Sequence, residues 1–310
     1  MSIRANTSTR YKFGPTFCRF IPNNPDGSIN SPSRIVSDGA GPFDFSDVVS
    51  DAAVTITLKL DNGVVLSDTL DLSGAGDIAA VTVAELVTAF TAASISGYTA
   101  SAEAGTGYLK IVKTSPGSAR YLQIGGEVAE FAGFTTTIIP VDTQKSIAVA
   151  NTNHDSERIE TIDSNGKVTA IVTDSYPTGA QLTVVDSAYD QNLRATIEGG
   201  TFVDGGLTAR KYQSPGPSAK KPIVTVETFN GLYAKDDSLE TALLGYTWRR
   251  FQSCKGTFGD ETGDRNFQDG TFTLAATPYL DPVTNVKDDF VYTEQILTVA
   301  EYQALHVFDV

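Results

Sequence analysis

The chain has little of the chemistry that most catalytic and metal sites use. Its 310 residues include only two histidines and two cysteines, and the cysteines, Cys18 and Cys254, form no CxxC pair. This excludes the common zinc spacings and a disulfide framework, and it favours two small buried thiols. His154 lies in a polar loop and His306 in an apolar tail, positions that favour surface and packing roles over catalysis.

Basic residues and long apolar runs are also scarce. The chain carries 23 Lys and Arg against 37 Asp and Glu, a net charge of −14. No basic cluster is present to contact phosphates, so tight binding of DNA or RNA is disfavoured. The sequence shows no signal-peptide core and no apolar run of membrane-spanning length, so we expect no membrane partner and assembly in a cytoplasm.

No motif indicates an enzyme or a bound cofactor. The sequence has no P-loop, no dinucleotide fingerprint after a strand, and no nucleophile elbow or paired-acid context. We therefore expect no enzymatic activity and no cofactor.

Two local features are weak candidates for binding. The segment "GDETGDRNFQDG" clusters oxygen ligands that suit Ca²⁺, although it lacks the EF-hand spacing and a solvated hairpin loop is the favoured interpretation. Its acidic residues are Asp260, Glu261, Asp264 and Asp269. Trp248, between strand residues and followed by Arg249 and Arg250, suits a sugar-stacking platform, but packing in a core or subunit interface is more usual for such a residue.

The sequence is rich in residue types that are typical of strands and turns. Residues 53 to 134 form a self-consistent pattern, beginning with two alternating segments joined at Asn62-Gly63, which predicts a type I′ hairpin. Thr82 and Glu85 have the spacing of a capping box before a helix of period 3.6. Two more strands and a short helix follow, so we predict a small α+β domain here, inserted between residues 1–52 and 135–310.

The remainder of the chain is predicted to be mainly β. A second hairpin is predicted at Asn165-Gly166, and four further strand candidates read "IVTVETF", "GYTWRRFQSC", "GTFTLAAT" and "DDFVYT". A capping-box spacing at Thr298 and Glu301 predicts a last helix in the tail.

One short helix interrupts this β pattern, in "GAQLTVVDSAYDQNLRATIEGGTFVDGG". Asp186 or Ser187 can cap it, and Gly199 and Gly200 end it. The apolar residues that we expect to pack it on the sheet are Tyr189, Leu193 and Ile197.

From about residue 179 to residue 278 the chain resembles the major tail proteins of bacteriophages, the subunits of the tail tube. Two features carry the resemblance. The first is the strand, short helix, paired glycines and return strand just quoted. The second is the segment "PIVTVETF…GYTWRRFQSCKGTF…GTFTLAATP", in which an acidic loop separates two strands.

The resemblance implies a tail-tube-like β-sandwich or barrel with one flanking α-helix, which seals an apolar face presented by Leu182 and Val184 or by Val185. Residues 1–52 would supply an N-terminal arm and the first strands, and residues 135–310 the main tube domain. It also implies a virion structural protein of the tail that forms rings with itself, expected to be hexamers, stacked into a tube. Its other partners would be tail proteins (sheath or terminator, and baseplate) and genomic DNA that passes without specific binding.

An alternative is a phage fibre or capsid decoration protein whose 53–134 unit binds a host receptor or carbohydrate. Exposed Tyr98, Tyr108 and Tyr121 would serve it, although core packing is their more usual role. For the tail tube, the net charge leads us to expect a negatively charged channel wall, and the insertion pattern leads us to expect that residues 53–134 can be deleted.

Overall fold

A computed structural model describes most of the chain. The residues described are 10–48, 52–117, 119–134, 138–141, 144–154, 159–162, 168–172, 176–186, 191–203, 211–217, 219–235, 241–259, 270–282 and 284–305. Three predicted features therefore lie outside the described residues: the Ca²⁺ candidates Asp260, Glu261, Asp264 and Asp269, the residue Tyr189, and His306. The turn at Asn165-Gly166 is likewise outside them.

The fold is mainly β, as the sequence predicts. In chain order the strands are β1 (Arg10–Pro22), β2 (Ile35–Val36), β3 (Ala53–Leu60), β4 (Val65–Asp71), β5 (Tyr98–Ala102), β6 (Leu109–Lys113), β7 (Leu122–Gly125), β8 (Ile139–Val141), β9 (Gln144–His154), β10 (Ile159–Ile162), β11 (Val168–Val172), β12 (Tyr176–Asp186), β13 (Thr201–Val203), β14 (Lys211–Gln213), β15 (Val224–Lys235), β16 (Thr241–Phe258), β17 (Gly270–Ala276) and β18 (Thr293–Leu297). The α-helices are α1 (Val83–Ala93), α2 (Glu127–Ala132), α3 (Gln191–Glu198) and α4 (Val299–Gln303).

One large antiparallel sheet organises the chain. Its strands lie in the order β8, β1, β15, β16, β17, β12 and β9, and β18 pairs with β16 as well. Strands β17 and β18 follow one another along the same edge of β16, at residues 254–258 and 246–250. Among the described strands the sheet does not close into a barrel, because β8 and β9 lie at its two ends.

The face of this sheet that carries the main core is apolar because its strands alternate. Leu182 and Val184 of β12 point into the core with Phe272 and Leu274 of β17. Helix α3 packs over β16 and buries Leu193 and Ile197 in the same core. Of the two alternatives left by the sequence, the apolar face that the helix seals is therefore the one that carries Leu182 and Val184. Val185 points to the opposite side of β12, since successive side chains alternate.

The start of the helix is described only from Gln191 onward. Asp186 is the last residue of β12 and is buried there. The residues between Asp186 and Gln191, Ser187 among them, lie outside the described ones, so the cap at Asp186 or Ser187 stays a prediction.

Residues 35 to 134 share a second apolar core. The hairpin of β3 and β4 turns at the predicted Asn62-Gly63, with Lys59 opposite Val65. The predicted type I′ turn is wrong, because such a turn needs a positive φ at both residues and here only Gly63 has one, at 85°. Helix α1 has the predicted capping box between Thr82 and Glu85. Ile35, Phe43 and Phe45 pack in this core as well, so it draws on residues that precede position 53. The division of the chain into domains at residue 53 stays a prediction.

Two predictions near the C-terminus have different outcomes. The capping box of Thr298 and Glu301 begins helix α4, as predicted. The strand predicted at "DDFVYT" is wrong in its position, because β18 begins at Thr293 and most of the predicted segment is loop. In the described part of the chain, no helix combines the length and apolar character that crossing a membrane requires.

Candidate functional site

An uncovered face of the large sheet is the first candidate surface. It lies on the side of β9, β12, β17 and β16 that is opposite to helix α3. The strand register aligns its side chains in rows, and each one is exposed or half-buried. We call it the open face, and its residues are Ser146, Ala148, Ala150, Gln181, Thr183, Val185, Thr271, Thr273, Ala275, Lys255 and Thr257.

The side chains of the open face are short and, with one exception, uncharged. Its side chains are mainly hydroxyls and methyl groups, and Lys255 is its one charged member. None of its eleven residues is a carboxylate, although the chain has 37 Asp and Glu in total. Such a surface offers neither a core-like apolar patch nor ionic partners, so it suits contact without strong adhesion.

Strand β9 borders the open face and is the second part of this candidate surface. It is 11 residues long, and in the part of the chain that the structure describes it pairs only with β12. Residues 150 to 153 are all exposed. A strand of this length with one unpaired edge presents backbone N–H and C=O groups to another chain.

The opposite side of the same strands is closed by helix α3, and Gly256 makes this possible. A Cβ atom at position 256 would lie 2.6 Å from Cγ2 of Ile197 and 2.9 Å from Cγ of Leu274. The glycine in the "SCKG" segment therefore lets the helix approach β16. Glu198 ends the helix and accepts hydrogen bonds from the Tyr212 hydroxyl (2.6 Å) and the Phe258 backbone N–H (2.9 Å).

A buried charge cluster joins the large sheet to the 35–134 core. Arg19 of β1 is 1 % exposed and Glu227 of β15 is 0 % exposed. Arg19 Nε donates to Glu227 Oε2 at 2.6 Å, and the Tyr121 hydroxyl donates to Glu227 Oε1 at 2.6 Å. Arg19 Nη2 lies 3.6 Å from Asp61 Oδ2, at the turn between β3 and β4. Arg250 Nε lies 3.9 Å from Glu227 Oε1.

The pKa shifts in this cluster have clear causes. Burial disfavours the charged form of Glu227, but Arg19, Arg250 and the hydrogen bonds from Tyr121 and Arg19 overcome it and lower the pKa of this carboxyl. Burial raises the pKa of Asp61 in spite of Arg19 and two backbone hydrogen bonds. Burial, followed by the charge of Glu227, raises the pKa of Tyr121. The cluster is therefore an ionic Arg–Glu pair with a neutral tyrosine donor.

This cluster has the form of a structural joint. Both carboxylate oxygens of Glu227 accept hydrogen bonds within the cluster, whereas Arg19 Nη2 and Asp61 Oδ2 are buried without a hydrogen bond. Arg19 also lies over the Tyr121 ring at 5.1 Å. Reactive groups need access to a substrate, and the side chains of Arg19, Glu227 and Tyr121 are almost completely buried.

Most of the other residues singled out in the sequence, where the structure describes them, are buried. Cys18 and Cys254 are both buried free thiols, and burial raises the pKa of each. Trp248 is 7 % exposed and packs with Tyr302 of α4, while Arg120 covers its ring at 4.3 Å. Trp248 is thus a core residue here, and its ring is not open to a sugar. His154 lies in β9.

The tyrosines suggested for receptor binding are mostly buried in the protein. Tyr98 and Tyr121 are buried, and Tyr108 is half-buried. Among the residues described, no group of three or more His, Cys, Asp or Glu is placed to hold a metal ion.

Sequence reasoning missed both the open face and the charge cluster. The alternation in "AQLTVV" and "GTFTLAAT" contained a signal for the open face, because every second residue is uncharged and most of these residues are threonine or alanine. The cluster had no such signal, since Arg19 and Glu227 are 208 positions apart.

Comparison with known proteins adds no family. No protein-family model matches the chain, and no curated protein matches it.

Proposed function

We propose that the chain is a virion structural protein, a tail tube subunit of a bacteriophage that assembles with copies of itself into stacked rings. The observation that carries the proposal is the open face, bordered by a long strand that pairs on one side only among the described strands. A sheet that ends in such a strand is completed when another copy pairs with it, and a closed ring of copies removes every free edge.

In the proposed ring, the open face lines the channel and helix α3 lies on the outside. This orientation follows from what each side presents, because the α3 side is already sealed by Leu193 and Ile197. The wall would then be uncharged apart from Lys255, which differs from the acidic wall that net charge alone led us to expect. Apart from Lys255, the short uncharged side chains give phosphates no cationic partner, so DNA would pass with little of the counterion release that drives binding.

The proposal includes the partners that the resemblance implies. Genomic DNA would pass through the channel without specific binding, and other tail proteins would meet the ends of the tube. The expected location is the tail of the virion.

The test is electron microscopy of the purified protein, with a variant of the candidate edge. The unaltered chain should form rings or hollow tubes. Ala148→Lys with Ala150→Lys places two charges on exposed positions of β9, so the chain should fold but remain unassembled, because lysines on an edge strand oppose pairing. Val64→Lys with Val65→Lys, at two exposed positions of the β3–β4 hairpin, is the matched control and should assemble.

Two results would contradict the proposal. One is a folded protein that forms no rings or tubes at any concentration tested. The other is normal assembly of the Ala148→Lys and Ala150→Lys variant. A protein that stays monomeric but binds host-cell glycans would instead favour the fibre or decoration alternative.

A further inference from the structure

We propose that a lysine-lined groove next to helix α3 receives an acidic and apolar loop from a second copy of this chain. The inference rests on the proposed self-assembly and deepens it, because it names a contact other than the β9 edge.

The groove has a volume of about 1100 Å³. It lies between the end of β1, the C-terminal half of α3 and the segment that leads into β15. Its apolar lining includes Pro22, Phe202, Pro222 and Ile223. A groove of this size with apolar walls suits the side chains of a partner loop.

Three lysines give the groove its charge. Lys220, Lys221 and Lys255 line it, and Lys221 and Lys255 also line an adjoining groove of about 540 Å³ on the open face. All three are exposed, and no carboxylate in the described residues forms an ion pair with them. Lys221 Nζ donates to the Gly256 carbonyl at 3.3 Å. Among the described residues nothing pairs with Lys220 or Lys255, and we infer that both can meet a partner.

Two carboxylates also line the larger groove, Asp26 and Asp38. Asp26 is neutralised by Arg34, whose Nη2 lies 2.6 Å from its Oδ2. With Asp26 paired in this way, the three lysines outnumber the remaining carboxylate.

The loop between β17 and β18 has the complementary character. We call its described residues, 278–282 and 284–290, the acidic loop. Leu280, Val286 and Phe290 are 53 %, 62 % and 42 % exposed, and they are three of the seven large hydrophobic residues exposed in the described chain. Exposed apolar residues concentrated in this way mark contact surfaces.

The acidic loop also collects negative charge. Its carboxylates are Asp281, Asp288 and Asp289, against one lysine, Lys287. Burial, followed by the charges of Asp289 and Asp281, raises the pKa of Asp288, so these carboxylates are close enough to repel each other. A cationic partner would relieve that repulsion.

A second copy is the occupant that these observations favour. Within one chain, Asp288 and Asp289 form no ion pair with Lys220 or Lys255. Each copy therefore presents both halves of a contact in which apolar meets apolar and positive meets negative. Because the two halves are different surfaces, the contact is of the heterologous kind that builds rings or extended stacks.

The experiment is a charge exchange on the full chain, followed by light scattering and electron microscopy. Lys220→Glu with Lys255→Glu should raise the concentration needed for association at least tenfold. Asp288→Lys with Asp289→Lys should do the same. The four changes together should restore association to within about threefold of the unaltered chain, because the attraction is restored with its signs reversed. Lys59→Glu with Lys211→Glu is the matched control outside the groove and should have no such effect.

Zero-length carbodiimide cross-linking identifies the contact directly, because it joins a lysine to a carboxylate in direct contact. In a mixture of isotope-labelled and unlabelled chains, the expected product links Lys220 or Lys255 of one copy to Asp288 or Asp289 of another. Rings or tubes that form without this product, and that tolerate both charge reversals, would overturn the docking contact and leave the proposed function standing. Cross-linked dimers that never grow into rings or tubes would support the contact and contradict the tube. If neither the rings or tubes nor the cross-linked product forms, both the docking contact and the proposed function are overturned.

Discussion

Gly256 lies where helix α3 comes closest to the large sheet. Because a Cβ atom there would lie within 3 Å of both Ile197 and Leu274, we expect Gly256→Ala to lower the free energy of unfolding by about 1–3 kcal/mol, the usual cost of overpacking. Urea unfolding of the Gly256→Ala variant and of the unaltered chain measures this difference in free energy.

Two further variants test the cause of that loss. Gly74→Ala is the control, since a Cβ atom at position 74 would meet nothing within 4 Å. Adding Ile197→Ala to Gly256→Ala should cost less than the two single changes added together, because the contacting group is removed. Strict additivity would show that the close approach is not the cause.

Glu227 should make stability depend on pH. Its pKa is lowered in the folded chain, so its contribution to stability is present above the pKa of an unfolded glutamate and is lost as the pH falls through the folded pKa. Asp61, whose pKa is raised, acts in the opposite direction: its contribution is full below its unfolded pKa and is lost as the pH rises through its folded pKa.

Glu227→Gln leaves Arg19 buried without its charged partner. We expect a loss of about 3 kcal/mol at pH 7 and a smaller fall in stability between pH 5 and pH 3 than in the unaltered chain, both measured by urea unfolding. Glu130→Gln, at an exposed site, is the control. If stability falls by the same amount between pH 5 and pH 3 in Glu227→Gln as in the unaltered chain, another carboxylate causes that fall.

At the scale of elements, α3 depends on one apolar face. Leu193 and Ile197 are fully buried against the sheet, so Leu193→Ala should cost about 2–5 kcal/mol, as for other core truncations. Thr196→Ala, on a half-buried position of the same helix, should change the unfolding free energy by less than about 1 kcal/mol. Equal effects of the two variants would mean that the helix does not pack through Leu193.

The elements that sequence predicts correctly are those specified by neighbouring residues. The Asn62-Gly63 hairpin and the Thr82–Glu85 cap depend on contacts only a few positions apart. The predicted position of β18 was wrong because all of "DDFVYT" except Thr293 lies outside the strand, and pairing with β16 decides where the strand begins. The open face was detectable in principle from alternation, whereas the Arg19–Glu227 pair required the tertiary structure.

At the scale of the whole molecule, the buried cluster changes what we expect from deleting residues 53–134. That deletion removes Tyr121 and Asp61 from Arg19 and Glu227, and it uncovers the apolar residues that precede position 53 in the shared core. A buried carboxylate that loses a hydrogen-bond donor and an exposed apolar patch both destabilise a fold. We now expect the shortened chain to be insoluble or unfolded, in place of the tolerance that the sequence suggested.

A second deletion tests this reason. Removing residues 35–134 and replacing the ion pair with Arg19→Leu and Glu227→Leu should give more soluble protein than the 53–134 deletion, measured by expression and circular dichroism. Full stability of the 53–134 deletion by itself would show that the two parts are energetically independent.

The placement of β16 has a mechanical consequence. This strand has 18 residues, a contour of about 60 Å, with β15 along one edge and β17 followed by β18 along the other. A pull along the strand axis would load these hydrogen bonds in shear, many at a time, and not one after another as in unzipping. A subunit built in this way would resist stretching along β16 far better than peeling at β9, which in the described part of the chain pairs along a single edge.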